Sequence, residues 1–419
     1  MKLFYKKNSK SSIFTYLGTL LEYYDYILFM EFAHFISKIF FPENMNSIFY
    51  IFALGYASRF IGIFIISLLS NQKEQILKIS VLLMSVSTLV IALMPSYSSI
   101  GITATCLLIG LRFLQSVSYA VEFPSAIKIA SDNDENQNSK IGMVISSTTV
   151  GAILASLSSW TLLYFCSKEQ ILSYYWRIPF MISGLFGLLL FRMRSFNTNK
   201  ITQVQRSITE FSIISSFKPI VNSVLIMVFT SFLIVNYLYF PQFFAKHGYT
   251  DLYFIHKYKL IMLCSSILFV TVIGKILDRM DKKRKINAIS NENFNQPINN
   301  DDLNNLTSNN FVYNTNILYI YRIFIIVWTG LVLLSMTNKI GIVLLMLFSQ
   351  LSIAFGMHYG LKNMVKQCGE NIIASIIAYN LSMFLGSLIV SFATNWAYMV
   401  IIPLALSSVF TFRLYKNQR

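Results

Sequence analysis

Three acidic side chains fall in a stretch that otherwise has the make-up of a membrane span. Residues 16–42 read YLGTLLEYYDYILFMEFAHFISKIFFP, almost continuously apolar, yet they carry Glu22, Asp25 and Glu31. A carboxylate at the bilayer centre costs about 2.5–3.5 kcal/mol on the insertion scale, so a helix that keeps one there is expected to line a polar cavity. With the span starting near Ile13, Glu22 lies about 13 Å along the helix, close to the midplane of a core about 30 Å thick. Glu22 and Asp25 fall within about 60° of each other, on one face. Carboxyls in that position are candidates for taking up and releasing a proton. The alternative is a structural pair satisfied by Arg or hydroxyl groups of a neighbouring helix. Glu31 lies about 180° round from Glu22 and nearer the outer surface, which suits an interfacial or packing charge.

Two further stretches carry buried cations. Arg59 sits in FALGYASRFIG, between Gly55 and Gly62. A guanidinium cannot shed its charge, so it needs an anion, either a carboxylate of the first span or an anionic group of a ligand. Arg112, Gln115, Tyr119 and Glu122 recur at helical spacing and fall within about 80° of one another. Arg112 and Glu122 are about 15 Å apart along the axis, too far for a direct pair, but placed to serve opposite ends of one cavity. Pro124 follows at once and is expected to kink that helix. Later spans are poorer in charge. Asn222, Asn236, Tyr237, Gln350, His358, Tyr379 and Asn380 can hold a polar ligand or simply join helices, at about 1 kcal/mol each. Arg322 follows Tyr319 and Tyr321, as an interfacial anchor would.

These residues need helices long enough to cross lipid, and the composition supplies them. The chain has 419 residues, of which 55% are hydrophobic and 12% charged; soluble domains run near 25% charged. Apolar runs fall at about 13–37, 47–70, 76–95, 100–130, 140–166, 171–192, 218–240, 255–277, 317–337, 340–362, 370–393 and 396–413. That is about twelve spans at roughly 20 residues each. The alternation of a β-barrel is missing. The net charge of +16 sits in short gaps between apolar runs, so it reads as charge that orients loops rather than as a nucleic-acid surface. Lysines and arginines crowd one alternate set of segments, including Lys2–Lys10, Arg192, Arg194, Lys275–Lys285 and Arg413–Arg419. The positive-inside rule therefore puts both termini in the cytoplasm. Cys106, Cys166, Cys264 and Cys368 are scattered singly, with no CxxC; neither a disulfide framework nor a metal site is indicated. No Walker A loop, HExxH or GxSxG occurs, so no enzyme, cofactor or ATP-driven pump is expected.

Two polar segments divide the chain. Residues 193–217 link a six-helix bundle at 1–192 to a second at 218–419. Residues 286–316, rich in Asn, are expected to be a disordered cytoplasmic insertion. Paired halves of this kind are usual in secondary transporters.

The motifs then resemble a known family. Gly18, Leu21, Glu22, Tyr24, Asp25 and Phe40-Phe41-Pro42 resemble the GNxLEWYDFxxYG…FFP pattern of major facilitator superfamily transporters, specifically the metabolite:proton symporters, which include proline/betaine, α-ketoglutarate and citrate carriers. Arg59 and Gly62 resemble FxxGxxxRPxG, and Arg112, Gln115 and Glu122 resemble LRLLQGFSxGGEWGGA. Trp176–Phe180 matches WRIPF letter for letter. Gly274, Asp278 and Arg279 resemble GxLxDRxGRR, and Tyr379-Asn380 a YN pair in the eleventh span. One motif departs: the loop GDRxGRK reads here Ser70-Asn71-Gln72-Lys73-Glu74-Gln75, with Asn71 in place of its Asp. Pro124-Ser125 also stands where the family has two glycines.

The resemblance implies an all-α major facilitator fold and proton-coupled transport of a small polar organic solute by alternating access in the inner (plasma) membrane. A proline- or betaine-like zwitterion is preferred over a di- or tricarboxylate, because carboxylates and arginines share the first half. It implies Glu22, Asp25 and Glu122 as proton or substrate groups. Arg59, Arg112, Gln115, Tyr119, Tyr379 and Asn380 would bind substrate or act as charge partners. Asn71, Asp278 and Arg279 would belong to gate loops. The expected partners are the solute, protons and lipid, with a single subunit and no nucleic acid. The altered Asn71 loop leaves a second reading, a transporter-like sensor that carries no flux.

Overall fold

The computed structural model describes residues 2–42, 55, 58–63, 73–131, 136–198, 213–246, 252–292, 315–335, 339–369 and 372–392. The longer helices are α1 (Lys2–Glu31), α2 (Ala33–Phe40), α3 (Lys73–Leu93), α4 (Ile102–Ser131), α5 (Gln137–Phe165), α6 (Arg177–Thr198), α7 (Ile213–Lys246), α8 (Leu252–Glu292), α9 (Thr315–Ser335), α10 (Lys339–Cys368) and α11 (Ile372–Phe392). Among the described residues no strand occurs, and six helices are long and apolar enough to cross a membrane. Every backbone N–H and C=O must find a partner inside lipid, and a helix supplies them within one segment. Of the expected spans, 47–70 is described only at 55 and 58–63, where it is helical, and 396–413 lies outside the described residues. The Asn-rich segment differs from expectation at both ends. α8 continues to Glu292, and α9 begins at Thr315. The run KKRKINAISNE holds no Gly or Pro before Pro297, so nothing in it stops the helix at residue 286.

By its contacts the chain divides into two compact units. The first comprises Met1–Asp132, Met143–Phe217 and Cys368–Asn380; the second comprises Asn133–Gly142, Lys218–Gln367 and Leu381–Arg419. In the first, α1, α3, α4 and α6 pack around Leu21, Val81, Met84, Tyr119 and Leu190, all buried. The piece of the second span at 58–63 runs close against α4. A Cβ on Gly62 would stand 2.8 Å from the Val117 Cα, so only glycine permits that approach. In the second unit, Phe232 meets the buried Trp328 edge-on at 5.5 Å, and the indole Nε1 donates to Ser349 Oγ at 3.0 Å.

The WRIPF motif acts as a cap. A π-helical turn, Ile171–Tyr175, precedes it, and Pro179 in the first turn of α6 has no N–H to offer the preceding turn. Trp176 and Phe180 are fully buried and meet edge-to-face, with Phe40 against the other side of the indole at 5.8 Å. This packing aims Arg177 at the end of α3, where Nη1 donates to the carbonyls of Ala92 and Met94 at 2.7 Å each. The last carbonyls of a helix lack a donor within it, and a cation there also suits the helix dipole. Arg177→Gln is expected to cost about 1.5–3 kcal/mol, seen as a lower thermal midpoint of the purified protein. An unchanged midpoint would show the cap to be idle.

Candidate functional site

Asp25 lies at the centre of a buried polar network in the first unit. It is fully buried, and its carboxylate accepts from Thr88 Oγ1 and from Gln115 Nε2, at 2.9 Å each, and from the Tyr119 hydroxyl. Gln115 Nε2 also reaches Thr88 Oγ1 at 2.7 Å. Arg112 Nη1 donates to Gln115 Oε1 at 2.8 Å and stands 3.8 Å from Asp25 Oδ2, while its guanidinium lies over the Phe29 ring. Spacing explains the assembly: Arg112, Gln115 and Tyr119 recur on one face of α4, and Thr88 faces them from α3. A buried carboxyl with three donors and a nearby guanidinium is held in one position.

Glu122, ten residues beyond Arg112, does not share that network. Ser80 Oγ donates to its Oε2 at 2.9 Å, and Arg194 grips both oxygens, Nη2 to Oε1 at 2.5 Å and Nη1 to Oε2 at 3.2 Å. Arg194 Nη2 also donates to the Phe14 carbonyl at 2.8 Å. Gly18 makes room, since a Cβ there would collide with both the Arg194 guanidinium and the Glu122 carboxylate. The polar stripe of α4 is thus divided, Arg112 going to Asp25 and Glu122 to Arg194. The reading of Arg194 as a cytoplasmic loop charge is corrected: its side chain is 8% exposed and paired. Its position at the polar end of α6 hid it; the small Gly18 opposite was the one available signal.

Glu22 lies within α1, one turn before Asp25, and is 4% exposed. Its Oε2 has no hydrogen-bond partner among the described residues. Arg59 and Glu122 lie close enough for their charges to act on it. Arg59 is itself buried and stands 5.8 Å from the Tyr26 ring centroid. Tyr379 reaches the same region. Its hydroxyl pairs with that of Tyr23 at 3.2 Å, and its ring lies 4.9 Å from that of Phe123. Asn380 Nδ2 donates to the Ala120 carbonyl at 2.9 Å. Glu31, at the end of α1, accepts from Ser156 at 2.8 Å.

In the second unit Asp278 caps the start of α5. Its carboxylate accepts from the backbone N–H groups of Asn138 and Ser139, at 2.9 and 3.0 Å, and from both of their side chains. The first N–H groups of a helix need such an acceptor. Arg279 is exposed, and Asn71 lies outside the described residues. Asn236 and His358 bond to their own helices, at the Phe232 and Ala354 carbonyls. The side chains of Tyr237 and Arg322 also lie outside the described residues.

A sequence model of the Major Facilitator Superfamily matches residues 15–291, well over half of the chain. The chain belongs to that superfamily. Among curated relatives, the Staphylococcus aureus (strain COL) protein named "Putative proline/betaine transporter" is 29% identical over 303 residues. That match covers 67% of this chain and 64% of the relative. The "Citrate-proton symporter" of Salmonella typhi is 28% identical over 186 residues, covering 42% of this chain and 43% of the relative. The chain thus spans under two thirds of the length of these relatives. Solved structures agree in fold. The proton:xylose symporter XylE bound to 6-bromo-6-deoxy-D-glucose superposes with a TM-score of 0.70 at 13% identity, covering 98% of this chain and 96% of its own. The human organic anion transporter MFSD10 gives 0.60 at 10% identity, covering 97% and 99%. The motif resemblance therefore holds at the level of the superfamily, and this facilitator chain buries carboxylates and guanidiniums where those motifs fall.

Proposed function

We propose that this chain is a proton-coupled secondary carrier of a small polar organic solute, working by alternating access. Its twelve spans form two six-helix halves in the inner (plasma) membrane, with both termini in the cytoplasm and one subunit as the working unit. The observation that carries the reading is the Glu22 carboxyl, buried and with one oxygen unpartnered among the described residues. Ion-paired carboxylates such as Asp25 and Glu122 have partners to lose on protonation; Glu22 has none on that oxygen, so it is the group that takes up and returns the proton. Asp25 and Glu122 then serve as structural partners that hold Arg112 and Arg194. Arg59 and Arg112, with Gln115, Tyr119, Tyr379 and Asn380, supply the charged and polar contacts for the solute. Asp278 and Arg279, with the Asn71 loop, belong to the gates.

A proline- or betaine-like zwitterion is the preferred solute over a di- or tricarboxylate. The names of the Staphylococcus relatives support it, as do carboxylates and guanidiniums within one unit. Proteoliposomes with an imposed pH gradient, offered proline, betaine, α-ketoglutarate and citrate in turn, test it. Proline or betaine is expected to accumulate, and a protonophore to abolish the accumulation. Accumulation of none of the four would favour the second reading, a sensor without flux, which the loss of the Asp at Asn71 supports.

A further inference from the structure

The proline in α4 has a structural consequence that reaches Glu22. In a helix each N–H closes a bond to the carbonyl four residues earlier, and proline has no N–H. Pro124 therefore leaves the carbonyl of Ala120 without its helical donor, at a residue that is fully buried. An unpaired carbonyl in such surroundings is costly. Asn380 supplies the missing donor: its Nδ2 gives one hydrogen to Ala120 O and the other to Ile376 O on its own helix, both at 2.9 Å. Further contacts surround that bond. Ile373 and Ile376 pack on Ala120, Val121 and Ile63, and Lys128 reaches the Gly369 carbonyl at 2.7 Å. Tyr379 is laid against Phe123 and bonded to the hydroxyl of Tyr23, the residue next to Glu22. All of these residues belong to the first unit.

We propose that Pro124 and Asn380 form a clasp: the proline frees the Ala120 carbonyl, Asn380 captures it, and the captured segment lays Tyr379 over Tyr23, so that this one bond sets access to the Glu22 carboxyl. Asn380, Pro124 and Tyr379 act here as positioning residues, through the cover they hold in place. The inference rests on the reading of Glu22 as the proton-exchanging group. The Pro-for-Gly departure from the family pattern at position 124 thereby acquires a purpose, because it makes Asn380 the donor that replaces the helical bond Ala120 O lacks.

The test uses the full-length protein in lipid, with two readouts. Dicyclohexylcarbodiimide adds to protonated carboxyls in apolar surroundings, and mass spectrometry follows the gain at the Glu22 peptide. Hydrogen exchange follows the amides of residues 372–380. Pro124→Ala, a mild change in a helix, returns the Ala120 carbonyl to its own helix; Asn380→Leu removes the donor. Each is expected to speed both Glu22 labelling and exchange at 372–380 about three- to tenfold, the range for one hydrogen bond. The double variant should be no faster than the faster single one, because both residues serve the same bond. Tyr379→Phe should speed Glu22 labelling while leaving exchange at 372–380 near wild type, which a merely structural contact would not do. Unchanged exchange in both single variants, or additive effects in the double, would overturn the clasp. Faster exchange with Glu22 unlabelled in every protein would instead overturn the Glu22 reading, and the access role with it.

Discussion

Glu22→Gln is expected to abolish gradient-driven accumulation while sparing the fold. Glutamine keeps the shape and removes the titratable proton, so a carrier that relies on Glu22 should bring its solute only to equal concentrations on both sides. Accumulation should fall at least about tenfold, and exchange of labelled for unlabelled solute across the same membrane should persist. The fold should persist, with a stability loss smaller than that of Asp25→Asn, because the Glu22 Oε2 atom has no hydrogen bond among the described residues to lose. Accumulation equal to wild type in Glu22→Gln would remove Glu22 from the mechanism. Asp25→Asn provides the contrast. It weakens the network of Thr88, Gln115, Tyr119 and Arg112, so its effect should fall on stability as well as on transport.

Arg194→Met should destabilise the protein by about 3–5 kcal/mol, more than either Arg177→Gln or Glu22→Gln. The substitution leaves Glu122 buried without its guanidinium, although the Ser80 hydroxyl still donates to it, and takes a donor from the Phe14 carbonyl. The penalty belongs to the unpaired charge rather than to the lost attraction, so the pair Arg194→Met with Glu122→Leu should recover most of it. A four-member cycle of thermal midpoints measures this directly. A single variant as stable as wild type, or a double variant worse than the single, would show that the pair is not the structural lock described.

Several of these features were legible in the amino-acid order, and others were not, for reasons that differ. The spans could be read because apolar runs of about twenty residues have few other uses. Asp25, Arg112, Gln115 and Tyr119 could be named because charged and amide groups in such runs are rare. Thr88 could not, since hydroxyls occur throughout apolar helices and bond to their own backbone, as Thr88 also does to Met84. Arg194 was hidden by its place at a helix end, where basic residues usually only orient the chain. The freed carbonyl of Ala120 follows from Pro124 by rule. Its partner Asn380 stands 260 residues away, and only the folded chain brings the two together. Glu122 was read with Arg112, as serving one cavity, because both share a polar stripe; the stripe's length along α4 is what sends them to different partners.

Among the described residues of the first unit, the buried carboxyls Glu22, Asp25 and Glu122 are matched in number by the buried guanidiniums Arg59, Arg112 and Arg194. Such an interior is electroneutral only while every carboxyl is ionised. Under the proposed function, a proton arriving at Glu22 would leave one uncompensated positive charge in a medium that tolerates it poorly, and the anionic end of the proposed solute would restore neutrality. Stoichiometric coupling would then arise from charge conservation inside the protein, with no need for the proton and the solute to touch.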